Sequence, residues 1–248
     1  MLWLQGNADA TNTTVAAYKA RFHDFWSDFA AFCAAEGLPA PLLVMSQAAG
    51  DADTTVTGEA WNVCQAQLEL AAEVPGAILS GPDYPWRMKD GVHPADMDSG
   101  MIGELAARAE IEVAAGRKWN ILAPAVARTG GTITLTYDLR PGETIIAQAG
   151  AYANYGGDPA HHGFEVTGGG SITSVSIAGV SITIQTVGIV TGLQYAMQTG
   201  NVSALTAPDG TSKSAHRGTL RASDSWPGRG YWTGETVYRW LPSFRAAV

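Results

Sequence analysis

The chain has 248 residues, of which 46% are hydrophobic and 15% charged, enough apolar content for one large folded unit or two modest ones and too much for a disordered chain. Its net charge of −8 sits almost wholly in the first half, where residues 1–124 hold 7 Lys/Arg against 16 Asp/Glu, while residues 125–248 hold 8 against 7. No basic patch forms, which excludes nucleic acid and anionic membrane as expected partners, and no stretch reaches transmembrane length.

The opening Leu2-Trp3-Leu4-Gln5 reads as the body of a strand ending at Gly6, with the features of neither a signal nor a transit peptide, so no compartment is assigned. A helix is expected from about Thr13 to Glu36, closed by Gly37. Its aromatics Tyr18, Phe22, Phe25, Phe29 and Phe32 are spaced 4, 3, 4 and 3 apart, one helical face, and are expected in the core. Pro41 to Ser46 reads as a second buried strand, a helix follows from about Thr57 to Glu73 with Trp61, Cys64, Leu68 and Ala71 inward, and Ala77 to Ser80 makes a third strand. Next comes a loop, Asp90-Gly91-Val92-His93-Pro94, and a helix from about Asp98 to Ala115. This alternation predicts a parallel sheet with helices on both faces. The two cysteines, Cys33 and Cys64, both fall in helices and read as buried free thiols rather than a disulfide.

After Pro124 the pattern changes to period-two alternation: Thr132 to Tyr137, Thr144 to Ala147, Phe164 to Val166, Ile172 to Ile177, Val180 to Ile184, Leu193 to Met197 and Gly218 to Arg221. These short strands predict an antiparallel sandwich or partial barrel over 124–248, joined to an α/β unit over 1–123 by a hinge near Pro124 to Arg128.

A carboxylate three residues before a histidine can orient that imidazole as a general base, and it can equally do no more than stabilise a turn. Two blocks in order decide the weighting. Trp3-Leu4-Gln5-Gly6-Asn7-Ala8-Asp9-Ala10 and Asp90-Gly91-Val92-His93-Pro94, with the aromatic-striped helix and Gln65-Ala66-Gln67-Leu68 between them and Gly100-Met101-Ile102-Gly103-Glu104 after, together resemble the SGNH/GDSL hydrolase superfamily, in particular the carbohydrate esterases related to sialate O-acetylesterase. The resemblance covers roughly residues 2–115. It implies a partial three-layer SGNH-type α/β domain followed by an accessory all-β sandwich. It implies that His93 is the base and Asp90 its orienting acid. Gln5, Gly6 and Asn7 would then line the oxyanion and substrate side, and Asp9 matches the family's following acid. Asn7 stands where the family usually carries glutamate. The implied activity is removal of O-acetyl groups from carbohydrate by a Ser-His-Asp mechanism, with no cofactor.

The nucleophile is the gap. In the family, a Gly-x-Ser block and an oxyanion glycine precede the Trp-x-Gln-Gly block by many tens of residues, and here two residues precede it. Ser46, Ser80 and Ser171 lack a glycine-led elbow and are poor substitutes. Two readings stay open: an esterase whose serine comes from a missing N-terminal segment or a partner chain that also completes the sheet, or an inactive split chain that binds glycan through its β-domain. No metal site is expected, since the adjacent His161 and His162 cannot converge easily and Asp51 and Asp53 read as a solvated loop. Tyr152, Tyr155, Trp226, Tyr231, Trp232 and Trp240 are either core or a sugar-stacking platform.

Overall fold

A computed structural model describes residues 1–6, 13–49, 61–89, 93–198, 205–206, 212–213, 217–230 and 233–248. The first part contains β1 (Leu2–Trp3), α1 (Val15–Ala35), β2 (Val44–Gln47), α2 (Asn62–Glu73), β3 (Ile78–Pro82), β4 (Arg87–Met88) and α3 (Asp96–Ala114). The first three strands form a parallel sheet in the order β1-β2-β3. Side chains alternate across it, as a pleat requires. Val44 and Ile78 pack against Met101, Leu105, Ala106 and Ala109 of α3, whereas Met45 and Leu79 pack with residues of α1 and α2. Helices therefore cover both faces, and β2 is buried throughout.

Local signals explain the helix ends. Thr14 caps α1 by accepting a 3.1 Å bond from Ala17 N on its hydroxyl, and Gly37 ends it in a left-handed conformation at φ +66°. The aromatic stripe of α1 corrects the expectation of a fully buried face. Tyr18 and Phe22 are core, Phe29 is half-buried, but Phe25 and Phe32 are 39% and 58% exposed. The physical reason is coverage: a helix of 21 residues lies beside an edge strand of two, so its far turns outrun the sheet. The rings stack on one another instead, with Trp3–Phe25 at 5.2 Å and Phe25–Phe29 at 6.2 Å.

The second part is β-rich, with β5 (Ala125–Thr129), β6 (Thr132–Thr136), β7 (Ile145–Ala147), β8 (Phe164–Thr167), β9 (Ser171–Ala178), β10 (Ser181–Val187), β11 (Gly192–Tyr195), β12 (Leu205–Thr206), β13 (Ser212–Lys213), β14 (Leu220–Pro227), β15 (Thr236–Trp240) and β16 (Phe244–Ala247). They pair antiparallel in sheets ordered β5-β6-β10-β9, β16-β11-β8 and β15-β14-β7. A further small sheet, β12-β13-β4, joins a strand of the first part to two of the second.

The expected hinge residues fall largely inside β5, paired along its length with β6. One apolar cluster runs continuously from Leu43, Met45 and Leu68 to Tyr195, Leu220 and Phe244. Polar contacts reinforce it. The buried Gln47 amide, at the end of β2, donates 2.8 Å to Ser243 O and accepts 2.7 Å from Ser243 N, and Tyr84 OH donates 2.8 Å to Leu241 O. Each satisfies a buried backbone group across the boundary, so separating the parts would leave donors and acceptors unpaired.

Candidate active site

Parallel strands bring their carboxyl ends to one edge of a sheet, the usual seat of ligands in α/β folds. Gln5 and Gly6 leave β1 at that edge. The Gln5 carbonyl accepts 2.8 Å from Gln67 Nε2, and the Gln67 Oε1 accepts 2.7 Å from Ala48 N as the chain leaves β2. The buried Gln67 of α2 thus ties two strand exits together. Gly6 is required: its φ of +137° suits glycine, and a Cβ there would meet Val63 Cγ1 at 2.5 Å.

Tyr18 fixes the Gln5 side chain. Its hydroxyl receives Trp3 Nε1 at 3.2 Å and Gln67 Nε2 at 3.5 Å, and faces two acceptors on Gln5, Oε1 at 3.0 Å and the backbone O at 3.3 Å. Gln5 itself is exposed. Beside it opens a cleft of about 410 Å³ lined by Trp3, Gln5, Tyr18, Arg21, Phe22 and Phe25. Asn7 and Asp9, the other members of the block, lie outside the described residues.

His93 is exposed on a tight hairpin. Lys89 N donates 2.8 Å to His93 O, Ala95 N donates 2.8 Å to Arg87 O, and Met88 pairs with Pro94. The hairpin is pinned to the first turn of α3 by Arg87, whose Nε and Nη2 reach the buried Asp98 carboxylate at 3.1 and 2.9 Å while its backbone N–H bonds the same carboxylate. A charge-assisted fork of this kind sets geometry as well as energy. Asp90 lies outside the described residues. Arg87 and Asp98 escaped the sequence reading as site supports, and Gln67 entered it only within the Gln65-Ala66-Gln67-Leu68 block, with no role. Tyr18 was assigned to the core by its stripe. One usable signal was Gln67 itself, an amide on the inward face of an apolar helix.

Two of the three serines weighed as nucleophile are engaged elsewhere, and Ser171 is exposed at the start of β9 in the β-rich part. Ser46 is buried, and its hydroxyl bonds Asp83 Oδ1; Ser80 is buried and donates 3.1 Å to Met45 O. Both cysteines are free and buried, and Cys64 donates 2.8 Å to Ala48 O. Burial, then the nearby Asp83 charge, pushes the Cys64 thiol up to about 12, which keeps it from being a thiolate at neutral pH. His161 and His162 sit at φ +50° and +61° in a short turn, with His162 Nδ1 3.0 Å from Thr219 Oγ1. Burial, with His161 alongside, lowers the His162 pKa against the opposing pull of Asp158. Among the described residues no three His, Cys, Asp or Glu converge on a metal position.

Of the six aromatics, Tyr152 belongs to the core, bonded through its hydroxyl to Gly218 O at 3.1 Å. Trp226 packs on Trp119 at 5.4 Å. Trp240 is mostly buried, Tyr155 is half-buried, and Tyr231 and Trp232 lie outside the described residues.

Scanned against protein families and curated proteins, the sequence finds no match. Among solved structures the fold is similar to a carbohydrate acetylesterase from Xanthomonas citri, with a TM-score of 0.60 and 18% identity over 91% of this chain. The match covers 50% of that enzyme, so the chain spans half its length. The likeness is one of fold: an α/β part carrying helices, with a β-rich part attached.

Proposed function

We propose that this chain is the C-terminal portion of an SGNH-type carboxylic-ester hydrolase that removes O-acetyl groups from carbohydrate, with residues 124–248 forming an accessory β-sandwich. His93 acts as general base, oriented by Asp90, and the Gln5 amide and Gly6 backbone face the developing oxyanion, with Asn7 on the substrate side. A serine Oγ attacks the acetyl carbonyl and its proton passes to His93; collapse of the tetrahedral intermediate returns that proton to the departing sugar hydroxyl. Water, deprotonated by His93, then releases acetate and regenerates the serine. The observation that carries this reading is the Tyr18-held Gln5 amide at the carboxyl edge of a parallel sheet in a fold similar to an acetylesterase.

The serine belongs to a polypeptide segment outside this chain that seats against β1. Support comes from that edge: Leu2 and Leu4 are 47% and 55% exposed, and β1 pairs with β2 on one side only among the described residues. An inactive split chain that binds glycan through its β-domain is the competing reading, favoured by the buried, engaged state of Ser46 and Ser80. A fluorophosphonate ester probe separates them. Labelling is expected on a serine of the completed enzyme and lost with His93→Ala. Hydrolysis of p-nitrophenyl acetate by the chain alone, unchanged by His93→Ala, would refute the assignment.

A further inference from the structure

Where the connection after β3 meets the β14–β15 pair, the surface carries an open groove. It consists of two adjoining hollows of about 350 and 190 Å³ that share Pro85, Tyr238 and Trp240 as a common wall. Aromatic side chains dominate it. Trp86 and Tyr155 are half-buried and line the larger hollow. Tyr238 is clamped, with the Arg221 guanidinium 4.0 Å from its ring centre and Trp240 edge-on at 6.1 Å and 86°. Arg221 is itself fixed by a 2.9 Å bond to Gln148 Oε1. Rings immobilised before any ligand arrives bind at low entropic cost.

The polar complement is sparse and placed at the margins. The Arg87–Asp98 ion pair and the exposed Glu235 border the larger hollow, and Gln148 borders the smaller. Arg87 is neutralised by Asp98, so Glu235 leaves the larger hollow slightly negative. We infer that this groove binds the neutral pyranose units of an oligosaccharide, their C–H faces stacked on Trp86, Tyr155 and Tyr238 and their hydroxyls bonded by the carboxylates and the Gln148 amide. A flat apolar face edged with hydroxyls is what such a lining complements, and the negative margin disfavours acidic sugars. The hairpin from Arg87 to Ala95 carries both one wall of the groove and His93. A glycan seated there would touch the same chain segment that carries the proposed base. That last step rests on the esterase reading; the binding does not.

Calorimetry of the chain with maltotetraose, cellotetraose, xylotetraose and tetra-N-acetylchitotetraose tests it. At least one is expected to bind with a Kd of about 1 mM or tighter, weakened about tenfold by Trp86→Ala and by Tyr155→Ala. Phe32→Ser, on the exposed stripe of α1, is expected to leave binding unchanged, and tetragalacturonate is expected to bind more weakly. Tyr155→Ala changes a half-exposed side chain, so it keeps the test readable if Trp86→Ala fails to fold. Absence of binding by all four neutral sugars at about 10 mM, or binding that survives both aromatic substitutions, overturns the inference. Failure of the esterase reading would appear separately, in the probe labelling, which does not require the groove.

Discussion

Arg239 and Glu143 offer the sharpest test of how the β-rich part holds a buried charge pair. Both side chains are 3% exposed and joined at both carboxylate oxygens through one guanidinium nitrogen. Arg239 also donates 2.5 Å to Trp119 O and lies 5.4 Å over the Trp119 ring, while Glu143 accepts 2.8 Å from Arg140 N. Burial outweighs the carboxylate and lowers the Arg239 pKa, the sign of a pair whose desolvation cost exceeds its attraction. Such a pair adds little over a packed apolar replacement, but removing one partner strands a buried charge. Glu143→Gln should therefore cost about 3–5 kcal/mol, whereas Glu143→Leu with Arg239→Met together should cost only about 1 kcal/mol, chiefly the lost bond to Trp119 O. Urea unfolding followed by circular dichroism and tryptophan fluorescence measures both. A cost below about 1 kcal/mol for Glu143→Gln, or a double variant as damaged as the sum of the singles, would refute the argument. Because Trp119 precedes β5 and Arg239 lies on β15, the wild-type transition should be single by both probes.

Tyr18→Phe removes the hydroxyl that orients Gln5; in the completed enzyme kcat for acetyl-ester hydrolysis should fall about tenfold to a hundredfold with KM little changed, and the stability loss should stay near 1–2 kcal/mol. Cys64 should resist iodoacetamide at pH 8 in the native protein and react only on unfolding, read by mass spectrometry; rapid native labelling would contradict a buried thiol raised to about 12. Glu112 ionises below its ordinary range, first because of its bond to Arg117 and then because Arg140 and Arg108 are near. Its folded pKa lies below the unfolded one, so its contribution is present above the unfolded carboxyl range and is lost as pH falls through the folded pKa. Glu112→Gln should consequently flatten the acid side of a melting-temperature profile; an unchanged acid limb would count against the assignment.

What the sequence made legible follows from how local each signal is. The capped α1, the apolar run of β2 and the alternation in β6 and β10 each announce themselves within a few residues. Strands β4, β12 and β13 are two residues long, too short for any period, and exist because they pair with one another across the two parts. The supports of the candidate site were hidden for the same reason. Tyr18 and Gln5 are 13 residues apart and Gln67 and Gln5 are 62 apart, so their bonds are consequences of tertiary packing. Arg87 and Asp98 are 11 apart and meet only because a hairpin folds back on α3.

The aromatic stripe of α1 fails in a more instructive way, because its helix and its periodicity are right and only its burial is not. Phe25, Phe32, Leu2 and Leu4 each leave about half their surface in water. Fully covering such a side chain contributes about 1.5–3 kcal/mol, so four half-exposed ones offer about 3–6 kcal/mol. Bringing two separate chains together costs about 4–15 kcal/mol in lost translation and rotation alone, a range that overlaps what these four side chains offer. A segment covalently continuous with β1 escapes most of that cost. The stripe has the pattern of a core face, but an edge strand of two residues covers only part of a helix of 21.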